Sequence, residues 1–220
     1  MNVASDREAD IPYGEDLQHP EGAAAWVNAA DRKRPSRIPI RQAIVDRLQT
    51  LPDGARVLEL GSGPGYLAEQ VLAQCPALST YTLFDFSKPM MAMSRTRAGT
   101  FPAACFVLGD FRNTEWMAAV PGPWDAVVSM QAVHEVRHKR HVPALYGEIF
   151  GILRPSGLLV VADRTPEDDS PRSTALFMTA VEQLDAMRGA GFVEVRHIMS
   201  GDAIALCEGR KPAGDSVTRG

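Results

Sequence analysis

The chain has 220 residues, 45% of them apolar and 23% charged, with a formal net charge of −4 at neutral pH. That length holds one domain with a full core, and the acidic balance argues against non-specific nucleic-acid binding as the main task. The three cysteines (Cys75, Cys105, Cys207) are odd in number and lack metal-ligand spacing, which excludes a disulfide framework. The apolar runs fall far short of a membrane span, and the polar, acidic N-terminal residues lack the pattern of a secretion signal, so a cytoplasmic location is expected.

Residues 1–22 are polar, punctuated by Pro12, Gly14, Pro20 and Gly22, and read as a loosely held arm. A short helix is expected over 23–31 around Trp26, followed by a basic stretch, Arg32, Lys33, Arg34 and Arg37. Ile40, Ile44 and Leu48 recur every four residues and predict an amphipathic helix ending before Pro52. Strands and helices then alternate. Strands are predicted at about 56–60, at Thr80–Phe84 ending on Asp85, and at Cys105–Leu108 ending on Gly109-Asp110. Two more follow at Asp125–Ser129 and at Leu158–Ala162 ending on Asp163, with helices at about 64–73, 88–97 and 142–153. This rhythm predicts a Rossmann-like α/β fold: a doubly wound, mostly parallel sheet with helices on both faces.

The C-terminal part breaks the rhythm. Thr179 and Glu182 have capping-box spacing, and Val181, Leu184 and Met187 give the ensuing helix an apolar stripe, stopped at Gly189 and Gly191. Val193–Met199 and Ala203–Glu208 flank Ser200-Gly201-Asp202 and predict a hairpin with an antiparallel strand at the sheet edge, completing seven strands. Residues 211–220 read as a disordered tail.

The most informative stretch is Val57-Leu58-Glu59-Leu60-Gly61-Ser62-Gly63-Pro64-Gly65. Strand, glycine turn and helix bring backbone close to a nucleotide-like ligand. The dinucleotide pattern would need its third glycine where Tyr66 stands, and Pro64 removes a donor that a pyrophosphate would use. Glu59, at the strand end, suits a ligand with a positive amino-acid head. Asp85, 20 residues beyond Gly65, is placed to accept hydrogen bonds from both hydroxyls of a ribose; the plainer alternative is an N-cap of the next helix.

In these residues the segment resembles motif I of class I S-adenosylmethionine-dependent methyltransferases, and the resemblance extends over about 36–210, after a 1–35 arm. It implies S-adenosylmethionine as cofactor and S-adenosylhomocysteine as product. The resemblance gives the cofactor a site built from Glu59, Gly61, Ser62, Gly63, Gly65, Asp85 and Phe86. It gives Asp110 the adenine amino group and sets Phe111 against the ring, with Met90 either on the other face or simply core filler. Trp124–Glu135 matches the family's motif IV region, which would bring Ser129 and Met130 to the methionine moiety.

The expected reaction is methyl transfer to a small-molecule acceptor by in-line displacement. His134 is the candidate base, the alternative being a histidine that only walls the site. The basic stretches at 32–37 and 137–141 are either solvated faces or recognition elements for an anionic substrate. No Asn/Asp-Pro-Pro-Tyr/Phe sequence follows strand four, and the acids typical of magnesium-dependent catechol enzymes are absent, so no metal is expected. With little insertion between Asp163 and Thr174, the arm is expected to cover the site, with Tyr13 and Trp26 as an apolar lid. The other readings are a protein or RNA methyltransferase and a non-catalytic cofactor-binding protein. An aminopropyltransferase lacks its acidic cluster here, and a nicotinamide oxidoreductase is disfavoured by Pro64 and Tyr66.

Overall fold

A computed structural model describes residues 9–12 and 16–214, the side chains of residues 30 and 31 excepted. The chain begins with helices α1 (Pro20–Lys33) and α2 (Arg37–Leu48), then alternates β1 (Arg56–Leu60), α3 (Tyr66–Gln74), β2 (Thr80–Asp85), α4 (Lys88–Ala98) and β3 (Ala104–Leu108). A short α5 (Trp116–Ala119) leads to β4 (Trp124–Met130). Two 3₁₀ turns, Val133–Val136 and Lys139–His141, precede α6 (Val142–Ile152) and β5 (Leu153–Arg164). The chain continues with α7 (Pro171–Leu176), α8 (Ala180–Gly189), β6 (Val193–Gly201) and β7 (Ile204–Arg210). Tyr13 lies outside the described residues.

The strand order is β3-β2-β1-β4-β5-β7-β6. Strands β1 to β5 pair in parallel, and the order reverses between β1 and β4, so a crevice opens at their carboxyl ends. Alternate residues of β1 feed two cores: Leu58 and Leu60 join Trp116, Tyr146 and Ile149, whereas Val57 joins Ile40, Ile44 and Val71. The four-residue spacing on α2 therefore marks a packed face, with Ile40, Ile44 and Leu48 all buried.

Three expectations are corrected. The antiparallel strand is β7, which sits between β5 and β6 rather than at the edge. Residues Ile204 to Gly209 of β7 are buried while most of β6 is not, and the more apolar strand takes the interior position. The hairpin turns through Asp202 and Ala203, both with positive φ (48° and 53°), as a tight two-residue connection requires. On α8 the inward face is Gln183, Ala186 and Met187, while Val181 is 65% exposed; Gln183 is drawn inward as acceptor for the buried Tyr146 hydroxyl. Lys211, expected in the tail, is tied down: its ammonium donates to the carbonyls of Phe150 and Leu153, each at 2.7 Å. Residues 215–220 lie outside the described residues. Helix α1 is longer than expected, starting on Pro20 in the first turn, where a missing N–H costs nothing.

The capping box is formed as the sequence indicates. Thr179 Oγ1 accepts from the Glu182 N–H at 3.2 Å, and the Glu182 carboxylate accepts from the Thr179 N–H at 2.8 Å. Thr179→Ala removes it and should cost about 1 kcal/mol, lowering Tm by roughly 2–4 °C for a chain of this size. A thermal unfolding midpoint equal to that of the wild type would show that α8 does not depend on this cap.

Candidate active site

The glycine loop is lashed to the end of β2. The N–H groups of Gly61 and Ser62 both donate to the Phe84 carbonyl, at 2.8 and 3.1 Å. Gly61 has φ +70°, and a Cβ there would fall 2.1 Å from the Ala132 Cβ, so only glycine fits. Gly63 has φ +53° and would meet nothing within 4 Å; its Cα faces open space, as a cradle for a ligand does.

Asp85 is 5% exposed and accepts the Gly63 N–H at 2.7 Å and the Ser87 N–H at 2.8 Å. Ser87, not Asp85, caps α4, its hydroxyl accepting from the Met90 N–H. Burial pushes the Asp85 carboxyl up to about 6, against the opposing pull of the backbone donors. Glu59 is 2% exposed and takes the Tyr81 hydroxyl proton donor at 2.9 Å. Burial pushes it up to about 8, with Tyr81 opposing and the nearby Asp85 charge reinforcing the rise.

On the adjoining wall, β4 and β5 bring His134 to Asp163. Asp163 accepts from the His134 backbone N–H and bonds its ring Nδ1, each at 2.7 Å, and also accepts from the Arg164 N–H at 2.8 Å. The His134 ring meets Phe177 edge-on, centroids 5.3 Å apart. Burial alone would lower the imidazole pKa, but the Asp163 charge, its hydrogen bond and the Glu135 charge together raise it above the ordinary value. With Nδ1 taken by Asp163, Nε2 is the nitrogen left for a ligand; Glu135 stands 3.5 Å from it.

Glu59, the glycine loop, Asp85, His134 and Glu135 border one cavity of about 680 Å³, within the range of small-molecule sites. Of the residues expected from the sequence, Glu59, Gly61, Ser62, Gly63, Asp85, Phe86, Met90, Met130 and His134 border it. Four do not. Gly65 turns toward Ser94 with φ +85°, and Ser129 donates to the Leu60 carbonyl at 2.9 Å. Phe111 packs in the core beneath the loop. Asp110 is ion-paired with Arg112 and borders a separate depression beside Trp116. The arm contributes Asp16, Leu17 and Trp26. Sequence reasoning missed Asp163 as the partner of His134, and missed Arg41, Arg164 and Arg172 on the cavity wall. Asp163 lies 29 residues from His134; only the pairing of Met130 with Ala162 makes them neighbours.

The Methyltransferase domain family matches residues 57–157, from the strand that carries Glu59 to the turn inside β5. This match and the relatives that follow support a class I S-adenosylmethionine-dependent methyltransferase. Malonyl-[acyl-carrier protein] O-methyltransferase of Magnetococcus marinus is 28% identical over 130 residues, covering 56% of this chain and 45% of that protein. Ubiquinone/menaquinone biosynthesis C-methyltransferase UbiE of Geobacter sulfurreducens is 27% identical over 121 residues, covering 55% and 44%. The chain thus spans less than half the length of these relatives. Among solved structures, human N-acetylserotonin methyltransferase in complex with S-adenosylmethionine shares the fold, with a TM-score of 0.62 and 17% identity over 90% of this chain and 56% of that one.

The methyltransferase site suits the family's cofactor. Ser62 is 5% exposed, yet its hydroxyl is buried with no hydrogen-bond partner, as is the Gln131 side-chain nitrogen. Both border the cavity, and unsatisfied groups of this kind call for a polar ligand.

Glu59 gives the site a pH signature. In the folded protein it holds its proton up to about 8, against an ordinary value of 4.5. Folding therefore binds a proton between those limits, and this group's contribution to stability falls as pH rises through them. Glu59→Gln should raise Tm relative to wild type at pH 8 by several degrees and change it little at pH 4.5. Equal pH dependence in the two proteins would show that Glu59 does not titrate in this window.

Proposed function

We propose that this methyltransferase moves a methyl group from S-adenosylmethionine to a hydroxyl of a small-molecule acceptor, without a metal, with His134 as general base. The observation that carries this reading is the 2.7 Å bond from His134 Nδ1 to the buried Asp163 carboxylate, on the wall of the cavity that also holds the glycine loop. A thiol or amine acceptor would need no such pair; a hydroxyl does.

The bound cofactor supplies an electrophilic sulfonium methyl. The protein's share is placement and proton handling. Glu59, once ionised, holds the ammonium of the methionine end, and Arg41, stacked at 5.6 Å over Tyr66 beside the loop, faces its carboxylate. Asp85 accepts from the ribose hydroxyls, and Phe86 and Met90 flank the base. Holding the acceptor oxygen in line with the methyl contributes several kcal/mol without further chemistry. As the acceptor oxygen takes the methyl group that the cofactor would supply, its hydroxyl proton would pass to His134 Nε2. Asp163 keeps the ring oriented and balances the imidazolium.

The arm excludes water in this scheme. Ile11 and Arg137 pair through their backbone at 2.8 Å, the Arg137 guanidinium donates to the carbonyls of Ile11 and Pro12, and the Leu17 carbonyl accepts from the Ser87 hydroxyl. Trp26 lies under the Arg37 guanidinium at 4.8 Å.

Calorimetric titration with S-adenosylhomocysteine, with NAD as control, tests the cofactor half. Binding should be micromolar for the former and should weaken at least ten-fold in Asp85→Ala; no binding to folded protein would remove the reading. On an acceptor found by screening metabolite pools for S-adenosylhomocysteine release, His134→Ala should lower kcat by about 10²-fold or more. Because the imidazole pKa is raised, wild-type kcat/KM should climb with pH along a limb above the ordinary histidine range. Asp163→Asn should shift that limb to lower pH and reduce the plateau. Full activity in His134→Ala would leave His134 as a wall residue only.

A further inference from the structure

The acceptor half of the cavity is strongly basic in a way that the cofactor does not explain. Arg164 follows Asp163 directly and stacks at 4.2 Å on Phe177, the same ring that meets His134 edge-on. Its Nε is buried with no hydrogen-bond partner. Its other end shares one carboxylate, Glu167, with Arg34, so two guanidinium groups are set against a single anion. Arg172, exposed on α7, borders the same space, and its guanidinium makes a long bond, 3.4 Å, to the Pro12 carbonyl. Lys33 adds a further positive charge from α1. Of the acids on the cavity wall, Glu135 is already paired with Arg137 at 3.1 Å, and Asp16, Glu59 and Asp85 are the others.

Arg164 and Arg172 border the same cavity as His134 and the glycine loop, so a molecule bound at the base can also meet guanidinium groups. Such forks match carboxylate and phosphate oxygens bidentately, and in a site partly closed to water the attraction is strengthened. A neutral acceptor would leave this excess charge uncompensated next to a cationic sulfonium.

We infer that the acceptor is an organic anion, a hydroxylated carboxylate or phosphate ester, whose charged group is held by Arg164 and Arg172 while its hydroxyl faces His134. This rests on the proposed methyl transfer and adds the substrate class. The anion is the recognition handle; the hydroxyl oxygen is the methylated atom. The basic stretch at 137–141, which the sequence offered equally, is spent elsewhere: Lys139 pairs with Glu182, and Arg140 and His141 with Asp10.

The test titrates benzoate, inorganic phosphate and the neutral benzamide calorimetrically into the full chain, with and without saturating S-adenosylhomocysteine. At least one anion should bind ten-fold or more tightly than benzamide, and Arg172→Gln should abolish that preference while leaving S-adenosylhomocysteine affinity unchanged. Arg164→Gln should do the same, but it also disturbs the Glu167 pair, so Arg172→Gln, at an exposed position, is the cleaner variant. Benzoate alone responding assigns a carboxylate, and phosphate alone a phosphate ester. Benzamide binding as well as both anions, or an undiminished preference in Arg172→Gln, overturns the inference. Failure of S-adenosylhomocysteine to bind overturns instead the methyltransferase reading, and the titrations without it still decide whether the anion site exists.

Discussion

Three carboxylates stand almost dehydrated at the carboxyl ends of parallel strands, and much of the site follows from how each is satisfied. Burying a carboxylate is costly unless donors meet it. Asp85 is met by the N–H of Gly63 and of Ser87, which fixes both the glycine loop and the start of α4. Glu59 is met by the Tyr81 hydroxyl from the neighbouring strand. Asp163 is met by the backbone and ring of His134 and by the Arg164 N–H. The same bonds that make burial tolerable fix Glu59 and Asp85 at the cavity wall, and fix Asp163 behind His134, which borders it.

The three acids are not equivalent. Glu59, met by the Tyr81 hydroxyl, is pushed furthest from ordinary carboxylate behaviour; Asp85, with two backbone donors, is pushed less. A carboxyl kept protonated by burial lowers the stability of the fold as pH rises toward neutrality and beyond. Asp163 instead raises the pKa of its neighbour, since its charge and hydrogen bond outweigh the burial of His134. Strain and desolvation concentrated at a binding crevice are where a functional fold is expected to depart from optimal stability.

The N-terminal segment completes what the sheet begins. Its bonds to Arg137 and Ser87 span 126 and 70 residues of sequence, respectively, and Arg34 reaches both Glu167 and the Asp202 carbonyl. The arm is thus tied to the loop that follows His134 and to the loop that follows Asp163. The shared Glu167 joins the arm's last helix to the residue beside Asp163.

The alternating pattern from residue 56 onward made the parallel sheet legible, because buried strands and amphipathic helices are local signals with their own periods. The glycine loop and the strand-end acids Glu59 and Asp85 were legible for the same reason: backbone conformation and topology place them whatever surrounds them. Side-chain destinations were not. Asp110 turned to Arg112, Ser129 to a carbonyl, and Val181 to solvent, since a choice among nearby partners is made by packing. The order of β7 and β6 in the sheet depended on which strand was the more apolar once both were built. The contact of His134 with Asp163, and the presence of Arg164 and Arg172 on one cavity wall, join residues from separate segments. The sequence by itself determined the strands, the loop and the cofactor's chemistry; tertiary structure decided which side chains meet around the cavity, because that is a property of distances between segments and not of any one segment.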